Sequence, residues 1–340
     1  MKNGKICLTA ALCLLLAAAS GALAEPETVT VKNKIASVRD FVEQMQANPD
    51  LKRLRLIGTG LNPAKIKAVK EALPGVEVYA EFRWFGQQWT TDMTEAGIKT
   101  AYKLQQITDF LDVMPALQRF DMYCMDMSVG KMEKLMAAYP QITFGWKVPI
   151  AFRKVRSDAT AFSSLKGGSA QRFDDEYYGK LLPYCPHLLA LDLGHNTINS
   201  LDFLAPFPEL KVLILADNQL SDISRLPDYT PNLEYLELFM NQITDISALP
   251  KLTHLRDLNL CHNQIADPSP LLEMPWLERC WISHNTFSEE WWERLQEALP
   301  NCRFEFTVWS STGNGWRQGH PHYLCIQRMF HSYQYEPFPD

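Results

Sequence analysis

Leu233-Glu234-Tyr235-Leu236-Glu237-Leu238-Phe239-Met240-Asn241-Gln242-Ile243 is the stretch on which the fold turns, because its pattern occurs five times. Leu188, Leu191, Leu193, Asn196 and Ile198 hold the first, fourth, sixth, ninth and eleventh positions of the first copy. Leu210, Leu213, Leu215, Asn218 and Leu220 hold them in the second. The third is the quoted stretch, and the fourth is Leu255, Leu258, Leu260, Asn263 and Ile265. The fifth is Leu277, Cys280, Ile282, Asn285 and Phe287. Successive copies start 22, 23, 22 and 22 residues apart, and a fixed period of this length is the mark of a stacked repeat.

Leucines at the first, fourth and sixth positions do not fit plain alternation. They fit a short strand whose flanks turn into a core. One such unit cannot bury its apolar side alone, so neighbours must stack. The side chain of Asn both donates and accepts, so Asn196, Asn218, Asn241, Asn263 and Asn285 are expected to form a column that serves backbone groups in the buried turns. Ser221-Asp222-Ile223 and Thr244-Asp245-Ile246 follow as caps for a short 3₁₀ or helical turn on the opposite side.

The run from Asn241 to Leu249 resembles the short 22-residue leucine-rich repeat of bacterial internalin-like proteins, and the likeness covers residues 188–287. It implies an α/β solenoid: a leucine-rich-repeat horseshoe with a parallel concave sheet, a 3₁₀ or helical convex side and divergent helix-bearing repeats at both ends. It also implies protein recognition at or beyond the cell surface.

The first half repeats more loosely. Leu51 to Val76, Leu117 to Ile142 and Leu277 to Cys302 are each 25 residues apart, room for a strand, about three helical turns and a second strand. Asn62-Pro63 reads as N-cap and first helical residue, with Pro74-Gly75 as the stop. Ser288 reads as the cap of a last helix carrying Trp292, Leu295 and Leu299. The expected boundaries are a signal peptide at 1–24, an N-terminal cap at 25–50 with a helix at Val38–Gln46, divergent repeats at 51–187, leucine-rich repeats at 188–306 and a C-terminal cap or tail at 307–340. Phe152–Asp175 is expected to be a loop or insertion, and Leu324–Phe330 to be helical.

Lys2 and Lys5, the apolar run Ile6–Ala19 and Ala22-Leu23-Ala24 make a secretory signal with cleavage before Glu25. Its removal takes the net charge from −6 to −8, since two lysines are lost. An acidic chain without clustered Lys and Arg argues against a nucleic-acid partner. No later segment reaches about 18 consecutive apolar residues, so no membrane insertion is expected after cleavage. Secretion or cell-surface location follows. Six cysteines remain after cleavage, Cys124, Cys185, Cys261, Cys280, Cys302 and Cys325. No CxxC pair occurs among them, and they read as buried thiols.

Side chains between the leucines face the concave side in such a repeat. Third positions are Ala190, Val212, Tyr235, Asp257 and Arg279; fifth positions are Asp192, Ile214, Glu237, Asn259 and Trp281; seventh positions are Gly194, Ala216, Phe239, Cys261 and Ser283. Tyr235, Glu237, Phe239, Asp257, Asn259, Arg279 and Trp281 combine aromatic anchors with polar groups, the usual makeup of a binding hot spot. They are the expected ligand site on an open face, for protein first and carbohydrate as the alternative. The other reading has the aromatics covered by the N-terminal region or the tail. His195, His262 and His284, with Asp217 or Cys261, read as turn residues, because a metal site needs three or four convergent ligands; His320 and His322 are read the same way. Cys261-His262 would point to opposite sides of an extended chain and not face each other as nucleophile and base. In the tail, Trp316 and Arg317 either help to cover the open end of the core or form a small binding loop.

No catalytic motif is visible. The expectation is a binding module without enzymatic activity or cofactor. Two alternatives stand beside it: a hydrolase-type enzyme with Trp84, Trp89, Asp92 and Trp146 lining a cleft in the first half, and a purely structural surface protein.

Overall fold

A computed structural model of the chain describes residues 27–165 and 171–339. The expected signal peptide lies outside the described residues. The chain divides into two compact units, one running through Cys124 together with Leu135–Phe144, the other comprising Met125–Lys134 and Gly145 onward.

The first unit opens with β1 (Thr28–Val31), α1 (Val38–Gln46), β2 (Arg53–Leu56), α2 (Pro63–Ala72), β3 (Glu77–Trp84) and β4 (Gln87–Thr90). Strands β1, β2 and β3 pair in parallel, and β4 returns antiparallel on β3. Helix α1 spans the expected residues, but β1 was not anticipated; it extends the sheet ahead of β2. Helix α2 starts as its sequence dictates: the Asn62 side chain accepts from Lys65 N at 3.0 Å, Pro63 follows, and Gly75 takes the left-handed conformation just past the end. Next come β5 (Glu95–Gly97), α3 (Leu104–Leu111), β6 (Arg119–Asp121), α4 (Val129–Ala138) and β7 (Thr143–Gly145), with β5-β6-β7 forming a second sheet. The two 25-residue units are thus β2-α2-β3 and β6-α4-β7.

In the second unit, β8 (Lys147–Ile150) and β9 (Arg153–Arg156) make a hairpin. Then follow β10 (Ala161–Ser163), α5 (Asp175–Leu181), β11 (Ala190–Asp192), β12 (Val212–Ile214), α6 (Leu226–Tyr229), β13 (Tyr235–Glu237), β14 (Asp257–Asn259), β15 (Arg279–Trp281), α7 (Glu290–Ala298), β16 (Arg303–Glu305) and α8 (Pro321–Ser332). Strands β10 to β16 form one seven-stranded parallel sheet in chain order. The register is fixed: Ala161, Ala190, Val212, Tyr235, Asp257, Arg279 and Arg303 lie side by side, all at the third repeat position. This is an α/β solenoid of leucine-rich repeats.

Two expectations need correction. Phe152–Asp175 is not simply a loop. It holds β9 and β10, and β10 is the first strand of the repeat sheet. That copy escaped notice because Ala159, Phe162 and Ser164 stand where later copies have leucine. Ala159 and Phe162 are nonetheless fully buried. Ser288 is not the N-cap of α7; the cap position is Glu289, and its side chain makes no capping bond.

The asparagine column forms as its chemistry requires. The Asn241 amide donates to Leu215 O and Leu238 O, both at 3.0 Å, while its Oδ1 accepts from Leu220 N at 3.0 Å. Asn218, Asn263 and Asn285 repeat this arrangement, each joining its own turn to the preceding one. On the opposite side Asp222, Asp245 and Asp267 each accept from the backbone N–H two residues on, setting up the short turns that follow. The turn residue before each asparagine is left-handed: His195, Asp217, Met240, His262 and His284 have φ between 50° and 56°.

Replacing Asn241 with Ala is expected to cost about 2–4 kcal/mol, since the buried N–H of Leu220 loses its partner and two carbonyls lose a donor. Asn241→Asp is expected to be at least as damaging, because a carboxylate cannot donate. Urea-unfolding midpoints of the two variants check both statements.

Candidate functional site

The sheet face of β10 to β16 carries every residue expected to bind a ligand, and it is not open. Tyr235, Glu237, Asp257, Asn259 and Trp281 are wholly buried, and Phe239 and Arg279 are nearly so. The segment after β16 lies across them. Val308, Trp316, Cys325, Ile326, Met329, Phe330 and Phe338 join Tyr235, Phe239 and Trp281 in one apolar cluster. The expectation of an exposed face is therefore corrected. The reading in which the tail covers the aromatics describes the molecule.

Each of the seven residues has a partner in that segment. Glu237 is the acceptor for three groups: the Tyr235 hydroxyl, Trp316 Nε1 at 2.7 Å and Arg317 Nη2 at 2.5 Å. Asp257 lies 2.5 Å from both Arg279 Nε and His322 Nδ1. Burial raises the pKa of Asp257, but the hydrogen bond from His322 and the charge of Arg279 outweigh it and hold the group below the ordinary carboxylate value. Arg279 also donates to Trp316 O at 3.1 Å, and its guanidinium lies 4.5 Å from the Trp316 ring centre. The guanidinium of Arg317 lies over Phe239 at 5.6 Å.

Main-chain carbonyls of the segment are also held. Asn259 Nδ2 donates to Ser311 O at 2.7 Å, Trp281 Nε1 to Gly313 O at 3.0 Å, and His284 Nε2 lies 3.0 Å from Val308 O. Further on, Thr160 N donates to Tyr333 O and Tyr335 N to Thr160 Oγ1. Trp316 and Arg317, expected over the open end of the core or in a small binding loop, instead lie on the sheet face. Helix α8 includes the expected Leu324–Phe330 but starts earlier, at Pro321 behind His320.

One position on the face stands apart. Asp192 is buried and accepts from Ser163 Oγ at 2.8 Å and Gly194 N at 3.1 Å, yet it makes no ion pair among the described residues. Burial pushes its carboxyl up to about 6, despite those two hydrogen bonds.

The histidines at the turn edge have local partners. His195 Nδ1 lies 2.7 Å from Asp217 Oδ2, and the rings of His262 and His284 stack at 4.1 Å. Burial, then the neighbouring His284, hold His262 below its ordinary value. Among the described residues no three His, Cys, Asp or Glu side chains converge to hold a metal. The left-handed backbone supplies the signal that the sequence reading lacked, since His and Asp tolerate that conformation well among non-glycine residues. The same edge carries two exposed apolar side chains: Met240, 47% exposed in a left-handed turn, and Trp309, 94% exposed.

The six cysteines among the described residues are free thiols, five of them buried. Burial pushes the Cys261 thiol up to about 11, which suits a small apolar group accepting from Ser283 Oγ and not a nucleophile. In the first unit Trp89 is core: it is buried, packs edge-on against Phe110 at 4.9 Å and donates to Trp84 O. Trp84 donates to Gln106 O, while Asp92 is held by Thr90 Oγ1. Trp146, in the second unit, is buried against Tyr184.

Models of leucine-rich repeats match residues 184–201 and, as overlapping pairs of copies, 208–251 and 231–273. No curated protein is significantly similar to the sequence. Solved structures similar to it include an internalin C2 from Listeria monocytogenes, 23% identical with a TM-score of 0.34, over 57% of this chain and 73% of that one. An internalin (inlF) from the same species is 16% identical with a TM-score of 0.35, over 84% of each chain. A leucine-rich-repeat protein of Leptospira interrogans is 16% identical with a TM-score of 0.34, over 76% of this chain and 72% of that one.

Two outcomes test the electrostatics of this face. Asp257→Asn leaves Arg279 and His322 without a buried counter-charge and is expected to cost about 3–5 kcal/mol in denaturant unfolding at neutral pH. Asp192 carries the opposite sign. Its folded pKa lies above its ordinary 3.8, so the folded state holds the extra proton between pH 4 and 6, and stability from this group falls as pH rises through that window. Asp192→Asn is expected to gain on the native protein by roughly 2 kcal/mol between pH 4 and pH 7, read as the difference between their unfolding free energies at the two values.

Proposed function

We propose that this leucine-rich-repeat chain is an exported protein-recognition module that acts through the exposed turn edge of its repeats, with Trp309 as the principal anchor. The supporting observation is the nearly complete exposure of Trp309 at a place where the main chain is pinned. The carbonyl of the preceding residue, Val308, lies 3.0 Å from His284 Nε2, and Ser311 O accepts from the buried Asn259. An indole held on a fixed backbone loses little entropy on binding, and exposed aromatics of this kind make recognition anchors. Met240 belongs to the same edge. The N–H of Met240 donates to Cys261 O, one residue before His262, whose ring stacks on that of His284. A long apolar side chain in a left-handed turn is a costly choice where Asn or Gly would relax the backbone, and with about half of its surface exposed it returns little of that cost in packing.

In this reading Tyr235, Glu237, Phe239, Asp257, Asn259, Arg279 and Trp281 do not touch the partner. They hold the segment that presents Trp309. The partner is a protein, because an exposed Met and Trp beside stacked imidazoles match the mixed apolar and polar character of a protein surface.

Capture from cell-surface and host extracts, with the native protein beside a Trp309→Ser, Met240→Asn variant shown to unfold at the same denaturant concentration, tests the proposal. A partner held by the native protein and lost by the variant is the expected result. Equal capture by both would move the site off this edge, and capture by neither would favour a structural role.

A further inference from the structure

The tail does not fill the sheet face evenly. On β13 and β15 the outward side chains Tyr235 and Trp281 are large and meet Trp316, and Tyr235 also meets Phe338. Over β10 and β11 they are Ala161, Ser163, Ala190 and Asp192, and a space remains under α8 beside Ser163 and Asp192. This cavity of about 850 Å³ has Ser163, Asp192 and Ile214 on the sheet side, and Arg317, Ile326 and Phe330 on the tail side. That volume is within the range of small-molecule sites.

The polar groups in the wall are incompletely used. Asp192 has two hydrogen-bond donors but no contacting cation among the described residues; the charge of Arg317 reaches it only at a distance. Arg317 spends Nη2 on Glu237, while its Nε is shielded from solvent and has no hydrogen-bond partner among the described residues. A buried carboxylate without a contacting counter-ion and a buried guanidinium N–H without an acceptor are each costly. Their opposite signs in one cavity, beside the apolar walls of Ile214, Ile326 and Phe330, define a ligand by its complement.

We propose that this cavity binds a small zwitterion bearing an apolar side chain, a free α-amino acid or a short unblocked peptide. Its ammonium group sits on Asp192, its carboxylate meets Arg317, and its side chain lies against the apolar wall. The site is separate from the turn edge and does not depend on recognition there.

Isothermal titration calorimetry of the full chain with L-leucine, leucyl-leucine, N-acetyl-L-leucine and L-leucinamide tests it. At least one of the two zwitterions is expected to bind, and comparing them identifies which source the cavity takes. Acetylation, which removes the ammonium, is expected to weaken binding at least tenfold; amidation, which removes the carboxylate, is expected to weaken it several-fold. Asp192→Asn should bind at least tenfold more weakly while unfolding no earlier than the native protein. Ser163→Leu, which fills the floor and also removes a hydrogen-bond donor from Asp192, should abolish binding. No heat from either zwitterion at millimolar concentration, equal binding of the blocked compounds, or unchanged affinity in Asp192→Asn would each overturn the assignment. The native protein with the four compounds decides the matter even where a variant fails to fold.

Discussion

A buried turn leaves main-chain carbonyls pointing inward with no strand or helix to receive them. In this protein, side-chain amides answer that constraint, and the stack depends on them. Asn218, Asn241, Asn263 and Asn285 each donate to the turn they sit in and to the one before, and each accepts a backbone N–H from the preceding repeat. Hydrogen bonding and leucine burial therefore impose the same spacing. A repeat shifted by one residue would lose both at once, which is why strands of only three residues hold register across a seven-stranded sheet.

The sheet face shows how much a carboxylate alters what can cover it. Glu237 and Asp257 are fully buried, and such groups persist only when paired and hydrogen-bonded. Arg317 and Trp316 serve the first; Arg279 and His322 serve the second. These contacts fix where the segment after β16 lies and leave Trp309 pointing outward. A face of plain leucines would have accepted any apolar cover in many positions. Two charges select one.

The repeat was readable because its period, its leucines and its asparagines are all local signals. Helices α1 and α2 were readable for the same reason, through apolar spacing in one and Asn62-Pro63 in the other. The strands β1 and β10 were not, since neither carries the full pattern and each is recognised only by the neighbour it pairs with. The candidate site was half readable. Alternation correctly placed Tyr235, Glu237 and Trp281 on the same face. Whether that face meets water depends on residues eighty positions away, and no local pattern encodes that. Glu237 offered a hint, because an acid among aromatics at the centre of a sheet asks for a cation, and Arg317 beside Trp316 could supply it. Asp192 gave no such hint, since small neighbours and a distant helix create its cavity.

The cover also ties the ends of the sheet together. The repeats can stack each on its predecessor, because the bonds of Asn218, Asn241, Asn263 and Asn285 either stay within their own turn or reach back about one period. The hydrogen bond from Tyr335 to Thr160 spans 175 residues, and closing so large a loop carries an entropy cost that only later contacts repay. The contacts thus differ in reach, a zipper along the repeats and a clasp across them. With the clasp open, Tyr235 and Trp281 would be wet, and the finished sheet would offer its apolar face to other chains.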